Sequence, residues 1–158
     1  MTEGYSIREA TVADAETIVR HRREMFFDMG HRDAAVLDEL MRSFRPWLIE
    51  KLSKQEYRAW FALAEDGSIA AGAGLWLMNW PPGLYTSEPW RGNILNVYTE
   101  HAHRRKGLAR WLVCTARDWC GSQGIHVVIL HSSNEGRPLY EALGFQPTNE
   151  MRVFLTGQ

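Results

Sequence analysis

The chain has 158 residues, 45% hydrophobic and 11% aromatic, enough to fill one core, and its 18 Lys and Arg against 19 Asp and Glu leave a net charge of -1. That balance gives no global pull toward nucleic acid or acidic membrane, so basic clusters must be read locally. No apolar run approaches the ~18 residues of a membrane span, and the N-terminal order lacks the charged-then-apolar pattern of a signal peptide, so a soluble, cytoplasmic protein is expected.

In chain order, Tyr5 to Arg8 alternates as a first strand, and Thr11 with Asp14 makes a capping-box start for a helix that runs to about Phe27 and stops at Asp28-Met29-Gly30. The stretch from about Asp33 to Lys54 is helical but carries Pro46, which removes a donor and clashes with the preceding turn, so two short helices are expected. Leu37, Leu40, Met41 and Phe44 would share one face, and Trp47, Leu48 and Leu52 the next. Tyr57 to Ala64 and Ile69 to Met78 read as strands joined through Asp66-Gly67, a strong hairpin signal. Gly72 and Gly74 inside the second strand point to a bulge or a close backbone approach. Asn79 to Arg91, with three prolines and a glycine, reads as a long loop.

Ile94 to Thr99 supplies a central strand, Gly107 to about Cys120 a helix, and Gly121 to Gly124 its stop. Ile125 to Leu130 is a short continuous apolar run, the pattern of a strand parallel to its neighbour. Arg137 to Leu143 is a short helix ended by Gly144, and Met151 to Leu155 is expected as a last strand. Cys114 and Cys120 lie six apart on one helix, neither a redox pair nor half of a zinc site, and are read as reduced thiols. Residues 1–158 are expected to form a single α+β domain.

The chemistry concentrates where the central strand turns into the helix. The first amides of a helix lack intrahelical partners and carry the positive end of its dipole, so the turn from Arg105 through Lys106, Gly107 and Leu108 to Ala109 presents donors to a phosphate. Gly107 allows close backbone approach, and Arg104, Arg105 and Lys106 add positive charge.

Arg104-x-x-Gly107-x-Ala109 resembles the Gln/Arg-x-x-Gly-x-Gly/Ala signature with which GCN5-related N-acetyltransferases, the GNAT family, hold the pyrophosphate of acetyl-coenzyme A. Downstream, Leu139-Tyr140 to Gly144-Phe145 resembles the family's Leu-Tyr-x-x-x-Gly-Phe element. The order of elements is similar to the GNAT fold across nearly the whole chain, most strongly over residues 93–145. The resemblance implies a central mixed sheet of about six to seven strands flanked by about four to five helices.

It also implies a site. The acetyl oxyanion would meet the main-chain amide of Val97, and Asn96, Val97 and Thr99 would pair with the pantetheine like an added strand. The pyrophosphate would lie on Arg104, Arg105, Lys106, Gly107, Leu108 and Ala109. Tyr140 occupies the place of the acid that protonates the departing thiolate, and Asn134 that of an asparagine on the pantetheine, with Ser132 or Ser133 as substitutes. The implied reaction is direct acetyl transfer from acetyl-CoA to the primary amine of a small molecule or peptide, with a homodimer as an open option and no nucleic-acid or membrane partner.

Asn93 stands where relatives that use a glutamate base carry it, leaving Glu88, Glu100, His101 or a water relay as candidates, or an amine that binds already neutral. His101-x-His103 has only a distant His131 for company, so no metal site is expected. Two other readings stand beside transfer. His103-Arg104-Arg105-Lys106, with His21-Arg22-Arg23, could form a nucleic-acid or polyanion patch, although acidic neighbours make such runs ordinary solvated pairs; the chain could also be an inactive acetyl-CoA binder.

Overall fold

Apolar alternation in strands and apolar stripes in helices must be buried against each other, and here a single sheet carries helices on both faces. The computed structural model describes residues 2–155. Strands β1 (Tyr5–Glu9), β2 (Tyr57–Ala64), β3 (Ile69–Asn79), β4 (Trp90–Thr99) and β5 (Val128–Leu130) pair in that order, antiparallel except for the parallel β4–β5 pair. Helices are α1 (Ala15–Asp28), α2 (Ala34–Ser53), α3 (Leu108–Ser122) and α4 (Arg137–Ala142), with 3-10 turns at Val12–Asp14 and His101–His103. The α+β class holds, with fewer strands than the expected six to seven.

The core has two parts, one on each face of the sheet. Ile18, Val19, Met41, Phe44, Leu48 and Leu52 of α1 and α2 pack on Tyr57, Ala59 and Phe61 of β2. Leu108, Leu112, Val113, Ala116 and Cys120 of α3 pack on the opposite face with Trp60, Leu75 and Ile94. Between them, β3 runs Ala70-Ala71-Gly72-Ala73-Gly74, all buried.

Two expectations fail. Pro46 does not split its helix: α2 is continuous for 20 residues. Leu37, Met41, Phe44, Leu48 and Leu52 form one buried stripe that spans the proline, which itself faces solvent. Burial of five large side chains at ~1.5–3 kcal/mol each outweighs the ~3 kcal/mol proline penalty. The Asp33 carboxylate caps the start, accepting from the amides of Ala35 and Val36 at 3.0 and 3.2 Å. Nor do residues 151–155 form a strand. Met151, Val153, Phe154 and Leu155 are exposed, and among the described residues no strand pairs with them; an apolar run becomes a strand only where a neighbour supplies hydrogen bonds.

The hairpin between β2 and β3 turns where Asp66-Gly67 stands, with Gly67 at φ +82° and the Asp66 carboxylate accepting from the Ser68 amide at 2.9 Å. The 80–89 connection prolongs the β3–β4 hairpin: Trp80 N–H donates to Pro89 at 2.9 Å, and Gly83 bridges Thr86. Its tip residues, Leu84 and Tyr85, are exposed.

Candidate active site

The predicted bulge is present, and the extra residue lies in β4 rather than in β3. Gly72 pairs with Tyr98 and Gly74 with Leu95, so two steps along β3 face three along β4. Asn96 absorbs the irregularity at φ +55°, a left-handed conformation that asparagine tolerates better than most residues. Its buried amide is fixed on both sides. Arg22 Nη1 donates to its Oδ1 at 2.6 Å, and its Nδ2 donates to the Tyr57 hydroxyl oxygen at 2.8 Å. Gly74 makes this possible, since a Cβ there would fall 1.9 Å from that hydroxyl. A void of about 10 Å³, barely one water, lies beside these groups and His21.

At the bulge the sheet opens. β4 and β5 pair only from Gly92–Val128 to Ile94–Leu130, whereas β4 continues to Thr99 along β3. From Leu95 to Thr99, therefore, the edge of β4 that faces away from β3 has no strand partner among the described residues.

Beyond Thr99 the chain turns into α3. Arg105 and Gly107 both adopt positive φ, +61° and +79°, and Gly107 caps α3 without any side-chain bond. A Cβ built on Gly107 meets nothing within 4 Å, so the turn opens outward. Arg105 is exposed, with no carboxylate partner among the described residues. The other two cations are less free than the sequence suggests. Arg104 donates from Nε to the Thr99 carbonyl at 3.0 Å and from Nη2 to Asp28 of α1, while Lys106 donates to the Tyr5 hydroxyl at 3.1 Å. Arg104 thus braces the turn from behind through its side chain.

Tyr140 and Val97 both pack against the α3-side cluster that contains Ile94 and Leu108. Burial pushes the Tyr140 phenol above its usual range, so it stays protonated at neutral pH. Asn134 is exposed in the 134–136 turn ahead of α4, next to Ser133, whose Oγ accepts from the Gly136 amide at 3.1 Å; Ser132 is exposed as well.

The carboxylates differ. Glu100 accepts from Arg20 Nη2 at 2.6 Å and from His21 Nε2 at 3.1 Å. Burial raises its pKa, but the Arg20 bond and charge, with His21, outweigh that and hold it below the usual range, which makes it a weak base. Glu88 is exposed in the 80–89 connection. His101 is exposed beside Asp28, and Asn93 donates to Met78 Sδ at 3.6 Å. Among the described residues no three His, Cys, Asp or Glu side chains gather as a metal site, and no helix is long and apolar enough to cross a membrane.

Sequence reasoning missed Arg22, Tyr57 and His21. The run His21-Arg22-Arg23 reads as a solvated charged face, and Arg20 and Arg23 do pair outward, with Glu100 and Asp38. Arg22 instead falls one helical turn from both Ile18 and Phe26, on the inward face, a spacing that would have flagged it. His21 is almost fully buried, and burial, reinforced by the Arg20 charge, pushes its pKa down to about 4, so it is neutral and its Nε2–H donates to Glu100. A surface groove of about 370 Å³ lies elsewhere, between α1 and α2, where the Arg45–Glu16 and Arg23–Asp38 pairs line it.

The Acetyltransferase (GNAT) family model matches residues 16–145, more than half of the chain and all of the bulge, turn and α3. The chain belongs to the GNAT acetyltransferase family. A GCN5-related N-acetyltransferase from Ralstonia eutropha JMP134 is 35% identical, with a TM-score of 0.91 over 98% of this chain and 100% of that one. A predicted acetyltransferase with acetyl-CoA from Clostridium acetobutylicum is 28% identical, with a TM-score of 0.81 over 95% of each chain. A ribosomal-protein-alanine N-acetyltransferase from Brucella melitensis biovar Abortus 2308, 19% identical with a TM-score of 0.69 over 97% and 99% of the two chains, shares the GNAT fold. No curated protein matches the chain in sequence.

Proposed function

We propose that this GNAT protein transfers an acetyl group from acetyl-CoA directly to a primary amine. The observation that carries this reading is the unpaired edge of β4 between Leu95 and Thr99, which starts at a bulge and leads straight into the open turn at Gly107. A pantetheine arm hydrogen-bonds like a strand, and a pyrophosphate accepts from helix amides, so this succession suits both parts of one ligand.

In this reading the backbone of Asn96, Val97 and Thr99 takes the pantetheine, and the amides of Arg105 to Ala109 take the pyrophosphate, with Arg105 and Lys106 nearby. The exposed Asn134 amide reaches the pantetheine from the other wall. Arg104 supports the turn rather than neutralising phosphate. The neutral amine attacks the thioester carbon, and the Val97 amide donates to the carbonyl oxygen as it gains charge. The C–S bond then breaks, the Tyr140 phenol gives its proton to the departing thiolate, and the amine loses a proton to water.

The test combines binding and turnover. Acetyl-CoA at 100 times its dissociation constant should stabilise the fold by about 2.7 kcal/mol, and a panel of amino acids, polyamines, aminoglycosides and peptide N-termini should release free thiol from it. A folded sample whose melting temperature ignores millimolar acetyl-CoA, and which releases no thiol with any amine, rules the function out.

A further inference from the structure

The acyl-transfer reading accounts for the β4 edge and the Gly107 turn but leaves Arg22 without a role. On that reading, we infer that Arg22 binds a carboxylate of the acceptor, which makes the acceptor an amino acid or a related amino-carboxylate with an apolar body.

Arg22 is a cation without an anion. Its neighbours on α1 each have one, Arg20 with Glu100 at 2.6 Å and Arg23 with Asp38 at 2.9 Å, whereas among the described residues no carboxylate lies within 4.0 Å of Arg22. Its guanidinium lies 4.9 Å from the Phe26 ring centre and 4.6 Å from that of Phe44, and its buried Nε has no acceptor. A guanidinium stays charged even where burial lowers its pKa, as it does here. The one acidic hydrogen nearby, on Tyr57, is held by burial well above the usual phenol range, so that side chain provides no negative charge. Arg22 is half-buried, and a cation partly withdrawn from water without a counter-charge is costly, a cost that an incoming anion reduces.

Geometry selects the kind of anion and where it binds. One Nη is spent on Asn96, leaving Nε and the other Nη, and a planar carboxylate accepts two such bonds side by side. One uncompensated charge also matches a carboxylate better than the near-double charge of a phosphate. Arg22 holds the side chain of Asn96, the chain neighbour of Val97, whose amide faces the acetyl carbonyl in the proposed reaction, so the carboxylate anchor and the reacting carbonyl are served by consecutive residues of β4. The adjoining wall is aromatic, with Trp47 stacked on Phe44 at 5.8 Å and edge-on to Trp76 at 5.4 Å, which suits an apolar side chain.

The experiment titrates the CoA-saturated protein, labelled on arginine with nitrogen-15, with glycine, leucine and phenylalanine, each against its amide. The expected result is that leucine or phenylalanine moves the Arg22 Nε–H resonance and saturates at millimolar concentration, with affinity at least about tenfold above that of its amide. Arg22→Gln should abolish the preference and Arg22→Lys retain part of it. Equal affinity for acid and amide, no binding of any of the six, or a preference that survives Arg22→Gln overturns the inference. The wild-type comparison decides even if a variant fails to fold. A lost acetyl-CoA shift in the wild type refutes the acyl-transfer function instead, and so the two failures are distinct.

Discussion

Gly107→Val separates the cost of a strained turn from the loss of a ligand. Gly107 adopts φ +79°, a left-handed conformation in which a residue with a Cβ is penalised by roughly 1–2 kcal/mol, more when β-branched. Packing adds nothing, because a Cβ there meets no atom within 4 Å. For a chain of this length each kcal/mol moves the melting temperature by about 2–4 °C, so the free variant should melt roughly 2–8 °C below wild type and still unfold cooperatively. The open space that makes the side chain harmless to the fold is where the pyrophosphate lies in the proposed complex. Saturating acetyl-CoA should therefore raise the wild-type melting temperature by roughly 5–10 °C and the variant's by none. The assay is thermal unfolding of both proteins across an acetyl-CoA titration. A variant stabilised as strongly as wild type refutes the placement of the phosphates at this turn.

Tyr140→Phe should lower kcat by about 10²- to 10⁴-fold with little change in acetyl-CoA affinity, since in the proposed reaction the phenol acts only as the thiolate leaves; steady-state turnover within about threefold of wild type removes Tyr140 from the mechanism. Gly74→Ala drives a Cβ to 1.9 Å from the Tyr57 hydroxyl and 3.2 Å from the Leu95 carbonyl oxygen. Urea unfolding should show a loss of about 3 kcal/mol or more, from overpacking and the broken Tyr57–Asn96 bond, and a loss below about 0.5 kcal/mol contradicts the close approach. His21, with a pKa lowered from 6.5 to about 4, binds fewer protons folded than unfolded. Its contribution is complete above pH 6.5 and is lost as pH falls toward 4, about 2–3 kcal/mol by pH ~4.5. Urea unfolding at pH ~7.5 and ~4.5 measures this, and the same loss in His21→Gln assigns it to other groups.

How much was legible in the sequence follows from the range of each interaction. The Asp66-Gly67 hairpin and the strand into Gly107 and α3 rest on contacts near in sequence, and local pattern found them; β5 pairs with residues far earlier in the chain, Gly92 with Val128, but its continuous apolar run marked it all the same. Gly72 and Gly74 announced a bulge, but which strand takes the extra residue depends on the partner's register, and that places it at Asn96. Pro46 misled because its penalty is local, while the stripe that overrides it packs against β2. Arg104 matched its motif by residue type, yet its side chain turns to Asp28, 76 positions earlier. Arg22 carried no motif; its spacing from Ile18 and Phe26 set it on the inward face, but the lack of an anion around it is visible only in three dimensions.

The small residues of β3 set a direction for change. From Ala70 to Gly74 the middle strand offers nothing larger than a methyl group, so the two halves of the interior meet across little more than backbone. The bulk has moved to neighbours: a Cβ on Gly72 would fall 2.9 Å from His21 Nδ1, and one on Gly74 would strike Tyr57. Almost any replacement in this segment adds volume, and there is no larger residue within it to trim in exchange. Drift in the sequence is therefore one-sided at these positions. At Gly72 and Gly74 compensation must come from β2 or α1, the elements that carry Tyr57, His21 and Arg22, so variation in the middle strand and around the proposed acceptor site is bound to proceed together.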